Sequence, residues 1–252
     1  MKFSIDLNCD LGESYLTRKI GDDAAIIPYI SSCNIACGLH GGDPLTIQNA
    51  IDLALKNDVN IGAHPSFPDL ENFGRKYMKL SEEELKACLR VQIGMLKQMT
   101  ELRGGELRHI KPHGALYNAA AEDKELSCII IEVINEFDSD LLLLGLAGSK
   151  METVSKEMGL KFVPELFADR GYTDKGKLVS RQQPNAVIEN PDEVSKRCVK
   201  MVQEKTVLSN QNTDLIVEGK SICVHGDTPN ALGLVQSIHK AFELEQIELK
   251  GF

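Results

Sequence analysis

The residues able to do chemistry in this chain are gathered in a few short segments. They are residues 6–13, 34–43, 62–69, 111–118, 165–170 and 225–227. Four of the six histidines, His40, His64, His113 and His225, fall in these segments, each within a few residues of Asp, Asn or Lys, whereas His109 and His239 do not. Histidines and carboxylates that converge on one pocket suit general acid–base catalysis. They suit equally a divalent metal held by His and Asp with a position left open for water. Lys111 and Arg170, with Arg75 and Arg181 in neighbouring loops, supply cations for a carboxylate, a phosphate or a developing oxyanion. A nucleophilic route has less support. Cys37 sits between Asn34 and His40 in a glycine-rich loop, where close packing is the simpler reading. The chain also has no G-x-S-x-G elbow.

Such residues act together only if the fold brings them together. Short apolar runs at 3–7, 30–36, 59–63, 107–111, 141–146, 162–166 and 221–224 read as strands. Amphipathic stretches at 45–57, 81–102, 124–137, 149–158, 191–205 and roughly 229–244 read as helices. Ser81 with Glu84 forms a capping box, Gly104-Gly105 stops that helix, and Pro191 suits a first helical position. Strands alternating with helices give a parallel sheet, doubly wound or closed into a barrel, with all strand C-termini on one side. Ligands bind on that side. The polar segments each follow an apolar run, so they are expected in one pocket. Gly38, Gly41, Gly42, Gly62 and Gly114 would permit tight turns around it.

Composition narrows the classes. With 252 residues, 42% hydrophobic and 26% charged, the chain has the makeup of an ordinary globular protein. Its length is close to the ~250 residues of one β/α barrel, so residues 1–252 are expected to form a single domain. A net charge of −9, no tryptophan and 5% aromatic content argue against nucleic acid or an anionic membrane surface as partner. No apolar run approaches the ~20 residues of a membrane span. The N-terminus has no secretory h-region, so a cytoplasmic location is expected. Seven scattered cysteines then read as free thiols, since Cys33 and Cys37 have no second pair to complete a zinc site. The phosphate-loop reading of Gly219-Lys220-Ser221 fails because position 214 is Asp and the segment precedes a strand. A G-x-G-x-x-G fingerprint is absent as well.

The segments 6–13, 34–43, 62–69, 72–75, 111–118, 165–170 with Tyr172, and 223–227, in this order, resemble those of the LamB/YcsF family over nearly the whole chain. Departures are small: Gly41 replaces a usual Ala and Asn185 an expected Gly. The resemblance implies a distorted seven-stranded parallel β/α barrel similar to the polysaccharide deacetylases. It also implies the A component of an ATP-dependent 5-oxoprolinase, working with subunits B and C, which opens 5-oxo-L-proline to L-glutamate while ATP becomes ADP and phosphate. A divalent metal, Mg or another, would fit the same residues. The roles expected from this likeness are a water-activating base at Asp10 or His113, and cations at Lys111 and Arg170 for phosphoryl or carboxylate. Asp6, His40 and His64 would bind metal or polarise the carbonyl, with Asp169, His225 and Asp227 closing the pocket wall. Asn8, Asn34, Tyr117, Asn118 and Glu165 would contact substrate. Two other readings stay open: a metal-dependent amide or sugar hydrolase or deacetylase without ATP, and a non-catalytic ligand-binding subunit.

Overall fold

A computed structural model describes residues 3–252; Met1 and Lys2 lie outside the described residues. Seven parallel strands close into a barrel: β1 (Ser4–Leu11), β2 (Ser32–Ala36), β3 (Asn60–His64), β4 (Leu107–Ile110), β5 (Leu142–Leu146), β6 (Phe162–Phe167) and β9 (Ser221–Val224). The order is sequential, and β9 returns to pair with β1, Asp6 opposite Ser221 and Asn8 opposite Cys223. A two-residue strand β10 (Glu248–Leu249) adds to the start of β1. An antiparallel hairpin of β7 (Thr206–Leu208) and β8 (Asp214–Ile216) lies outside the barrel.

Helices occupy the crossovers: α1 (Asp23–Ile26), α2 (Pro44–Lys56), α3 (Glu82–Leu102), α4 (Gly114–Ala120), α5 (Lys124–Phe137), α6 (Lys150–Met158), α7 (Pro191–Gln203) and α8 (Ala231–Leu244). A 3-10 turn spans Ile27–Tyr29. The Ser81/Glu84 capping box opens α3, and Leu85, Leu89, Ile93 and Leu96 are buried along one stripe. Asn190 caps α7 with Pro191 at its first turn.

Side chains of successive strand residues point to opposite faces. On β1, Leu7, Cys9 and Leu11 join the apolar core, while Asp6, Asn8 and Asp10 make polar contacts across the lumen. A barrel interior is ordinarily filled by branched apolar side chains; here much of it is polar and hydrogen-bonded. Gly62 is required in this lumen, because a Cβ there would strike the His109 imidazole.

The expected strands and longer helices are present, with three differences. Strand β1 runs four residues past its expected end at 7, so Asn8 and Asp10 lie within it. Residues 114–120, not among the expected helices, form α4, which starts with no side-chain cap and so carries no start signal. The hairpin and β10 strands are two or three residues long, too short to show periodicity.

Candidate active site

Three layers of polar side chains rise through the barrel. At the floor, the Asp6 carboxylate accepts hydrogen bonds from Ser31 Oγ at 2.7 Å, Ser32 Oγ at 2.6 Å and Ser221 Oγ. Burial pushes its pKa up to about 6, against those three hydroxyls. Above it, Asn8 donates to Glu165 Oε1 at 3.0 Å and Ser221 Oγ at 2.8 Å, and Asn34 donates to Asn8 Oδ1 and Asp10 Oδ1, both at 2.8 Å. Tyr117 donates to Glu165 Oε2 at 2.7 Å. His109 reaches Asn34 Oδ1 at 2.8 Å through Nε2. The Lys111 ammonium lies between two carboxylates, 2.9 Å from both Asp10 Oδ1 and Glu165 Oε1. Those anions hold its pKa well above the usual lysine value despite burial. Burial also opposes the Asp10 charge, yet His64 and Lys111 beside it hold that carboxyl well below the ordinary range.

The uppermost layer differs in kind. His64 Nδ1 lies 2.6 Å from the Lys111 carbonyl, and His113 Nε2 lies 2.8 Å from the Phe73 carbonyl. A carbonyl only accepts, so each of these nitrogens carries the proton. In neutral rings the lone pairs of His64 Nε2 and His113 Nδ1 therefore face each other, 3.0 Å apart. Burial, with His40 and His64 nearby, keeps the His113 pKa well below that of a free imidazole. His40 stacks on His113 with ring centroids 3.8 Å apart. It is fully buried, and neither of its nitrogens has a hydrogen-bond partner. Its Nε2 is 3.4 Å from Glu13 Oε1, itself without a hydrogen bond. Burial, then the charge of Asp10, raises the Glu13 pKa well above the carboxylate range.

One donor atom from each of Glu13, His40, His64 and His113 lies within 4.8 Å of the others. The facing lone pairs of His64 and His113 are unfavourable when buried, and a cation taking the place of the Glu13 proton would satisfy all four groups. Three imidazoles and a carboxylate suit a borderline divalent ion better than magnesium. A second such grouping, Asp10, Cys223 and His225, already holds the Lys111 ammonium 3.0 Å from Cys223 Sγ.

The loop after β3 sets the His113 tautomer. Asp69 Oδ1 accepts from Asn72 N at 3.2 Å and Nδ2 at 2.7 Å, and Oδ2 accepts from Lys76 N at 3.1 Å. Within this brace Phe73 and Gly74 both take left-handed backbone, φ +56° and +64°. That conformation is costly for an aromatic residue, and it aims the Phe73 carbonyl at His113. The Phe73 ring also packs edge-on to His40 and His113.

A cavity of about 1080 Å³ opens at the C-terminal end of the barrel, lined by Asp10, His64, Lys111, His113, Tyr117, Asn118, Phe167, Arg170 and His225. Behind His225, Asp169 accepts from its Nδ1 at 2.9 Å and from Thr228 Oγ1 at 2.6 Å. Asp227 pairs with Arg75 at 2.5 Å at the mouth.

Asp6 is the clear correction: expected at the metal or reacting centre, it belongs to the floor. It lies four residues before Asp10 on one extended strand, roughly 13 Å below it at ~3.3 Å per residue. Its place in the four-residue cluster is taken by Glu13, which the sequence segment contained without distinguishing it. Asn8, Asn34 and Glu165 underlie the cavity without lining it. Cys37 is packed, its pKa pushed up to about 12 by burial, so it offers no thiolate at neutral pH. Asp69 and Phe73 were missed as well; their role follows from loop conformation, which no residue pattern announces.

The fold and site define a β/α-barrel protein with a histidine–carboxylate centre in its C-terminal mouth. The family model described as the LamB/YcsF family matches residues 5–252, and the chain belongs to that family. It is 46% identical over 248 residues to the protein of Acinetobacter baylyi named as the A component of 5-oxoprolinase, covering 98% of both chains. To the protein of the same name from Pyrococcus horikoshii it is 44% identical over 247 residues, 97% of this chain and 96% of the other. Among solved structures, the lactam utilization protein of Thermus thermophilus superposes with a TM-score of 0.94 at 39% identity, over 99% of this chain and all of that one. Among the described residues no helix is long and apolar enough to cross a membrane.

Proposed function

We propose that this chain is the lactam-opening component of an ATP-dependent 5-oxoprolinase, working with subunits B and C in the cytoplasm. The observation that carries the reading is the meeting of donor atoms of Glu13, His40, His64 and His113, those of Glu13 and His40 without any hydrogen-bond partner, beside the Asp10–Lys111 pair. Relatives named as the 5-oxoprolinase A component over nearly full length supply the substrate.

Opening the ring adds water across the amide: oxygen joins the ring carbonyl carbon, the C–N bond breaks, and nitrogen leaves as an amine after gaining a proton. This amide is unactivated and its five-membered ring recloses readily, which is why coupling to ATP is part of the proposal. Glu13, His40, His64 and His113 would hold a divalent cation. Such an ion polarises a carbonyl oxygen when bound. Asp10 Oδ1 is committed to Lys111 and Asn34. Its Oδ2, 3.4 Å from His64 Nε2, is the atom placed to take a proton from water. Asp10 is ionised at neutral pH, so it is available as a base throughout the physiological range. The Lys111 ammonium, fixed by Asp10 and Glu165, provides positive charge near the developing oxyanion. Tyr117 and Asn8 hold Glu165 in place for that pairing.

The test is reconstitution. The chain is mixed with subunits B and C, 5-oxoproline and ATP, and glutamate and phosphate are measured with and without a chelator. Glutamate formed in step with phosphate, and lost in His113→Ala, is the expected result. Full turnover in His113→Ala would contradict it.

A further inference from the structure

The cavity extends beyond the histidine centre, and its lining includes two arginines, Arg170 and Arg181, without a close carboxylate partner. Arg170 is 4% exposed, yet its bonded donors go to uncharged acceptors: Nε to the Ala186 carbonyl at 3.1 Å and Nη2 to the Val179 carbonyl at 2.6 Å. Its neighbour Asp169 is taken up by His225 and Thr228 and makes no ion pair with it. No acceptor among the described residues meets Arg170 Nη1. Arg181 lines the same cavity and has one loose partner, Asp227 Oδ1 at 3.9 Å, while Asp227 is closely held by Arg75.

A guanidinium buried without a counter-charge is costly unless an anion arrives to pair with it. Its planar fork matches a carboxylate or phosphate oxygen pair. We propose that Arg170 and Arg181 form an oxyanion subsite that fixes the charged end of the substrate while its ring faces the Glu13–His40–His64–His113 centre. The chemistry recognised is a compact oxyanion, either the carboxylate of the lactam or a phosphate group. The carboxylate arm rests on the lactam reading above; the subsite itself does not.

The probes are 5-oxoproline, 2-pyrrolidone (the same ring without its carboxylate) and inorganic phosphate, titrated calorimetrically into the purified full chain at low ionic strength. The lead variant is Arg181→Gln, which leaves the Arg170 contacts to the 179 and 186 carbonyls intact, with Arg181→Lys as the conservative partner. A charged hydrogen bond lost at this site corresponds to a ~10–100-fold weaker affinity. Arg181→Gln is expected to weaken 5-oxoproline by that factor and leave 2-pyrrolidone unchanged, with Arg181→Lys recovering part of the loss. If phosphate is the ligand weakened and no lactam binds the wild type, the subsite stands and the lactam reading falls. If 5-oxoproline binds wild type and Arg181→Gln alike, the lactam reading stands and the subsite is overturned. Failure of both 5-oxoproline and phosphate to bind the wild type also overturns it.

Discussion

The lower layers and the mouth of this barrel are equally buried and equally polar, but the lower layers are nearly complete and the mouth is not. Every side-chain nitrogen and oxygen of Asn8, Asn34 and Glu165 has a partner, the Lys111 charge is met by two carboxylates, and His109 Nδ1 alone in this layer is left without one. A few residues higher, Glu13 Oε1 and both His40 nitrogens have none, and two imidazole lone pairs face each other. A satisfied buried network rigidifies a fold, while an unsatisfied one carries a penalty that only a ligand removes. The contrast separates residues that build the barrel from residues that bind, although all are buried.

Mutations should divide along the same line. The largest effect is expected on turnover, from the mouth. His113→Ala or Asp10→Ala should lower the rate of the reconstituted complex by about 10²–10⁴-fold, with the His113 variant unfolding no earlier than wild type in a thermal melt. An active His113→Ala enzyme would place the reaction elsewhere. Next comes stability, from the floor. Lys111→Met leaves the Asp10 and Glu165 carboxylates buried without their cation, which should cost about 3–5 kcal/mol in urea unfolding. Glu13→Gln, which replaces a carboxyl that burial keeps neutral and whose Oε1 has no hydrogen-bond partner, should cost far less; equal losses would erase the distinction.

Asp6 gives a pH signature of the floor. Its pKa is raised from 3.8 to about 6, so the folded state binds the extra proton. Stability from this group is therefore present below pH 4 and is lost as pH rises through 6, by about 3 kcal/mol. Asp23 is raised in the same way and remains in the Asp6→Asn variant. The difference between wild type and Asp6→Asn in denaturation midpoints at pH 4 and pH 7 isolates the Asp6 share. A constant difference at the two pH values would exclude this account of Asp6. The smallest effect is expected far from both regions. Ser81→Ala removes the α3 cap and should cost ~1 kcal/mol, with turnover unchanged.

The barrel was legible because buried parallel strands read as apolar runs followed by polar turns, and each turn led to the same mouth. The site was legible as a set of segments and less so as a set of atoms. Along β1, Asp6, Asn8 and Asp10 are alternate residues of similar type, so the sequence shows that they share a face but not where along the lumen each one lies. That ambiguity put Asp6 at the centre and passed over Glu13. The pairing of Asp10 with Lys111 joins residues 101 positions apart, and nothing local records it. The same holds for Phe73, whose role rests on a left-handed backbone and a carbonyl direction.

The central claim is that the mouth is incomplete until a cation fills it. The direct measurement is a calorimetric titration of the metal-free chain with zinc or cobalt(II). One ion per chain is predicted, with affinity falling more than ~100-fold in both His40→Ala and Glu13→Gln and unchanged in Asp6→Asn. No binding, or binding untouched by His40→Ala and Glu13→Gln, would contradict it.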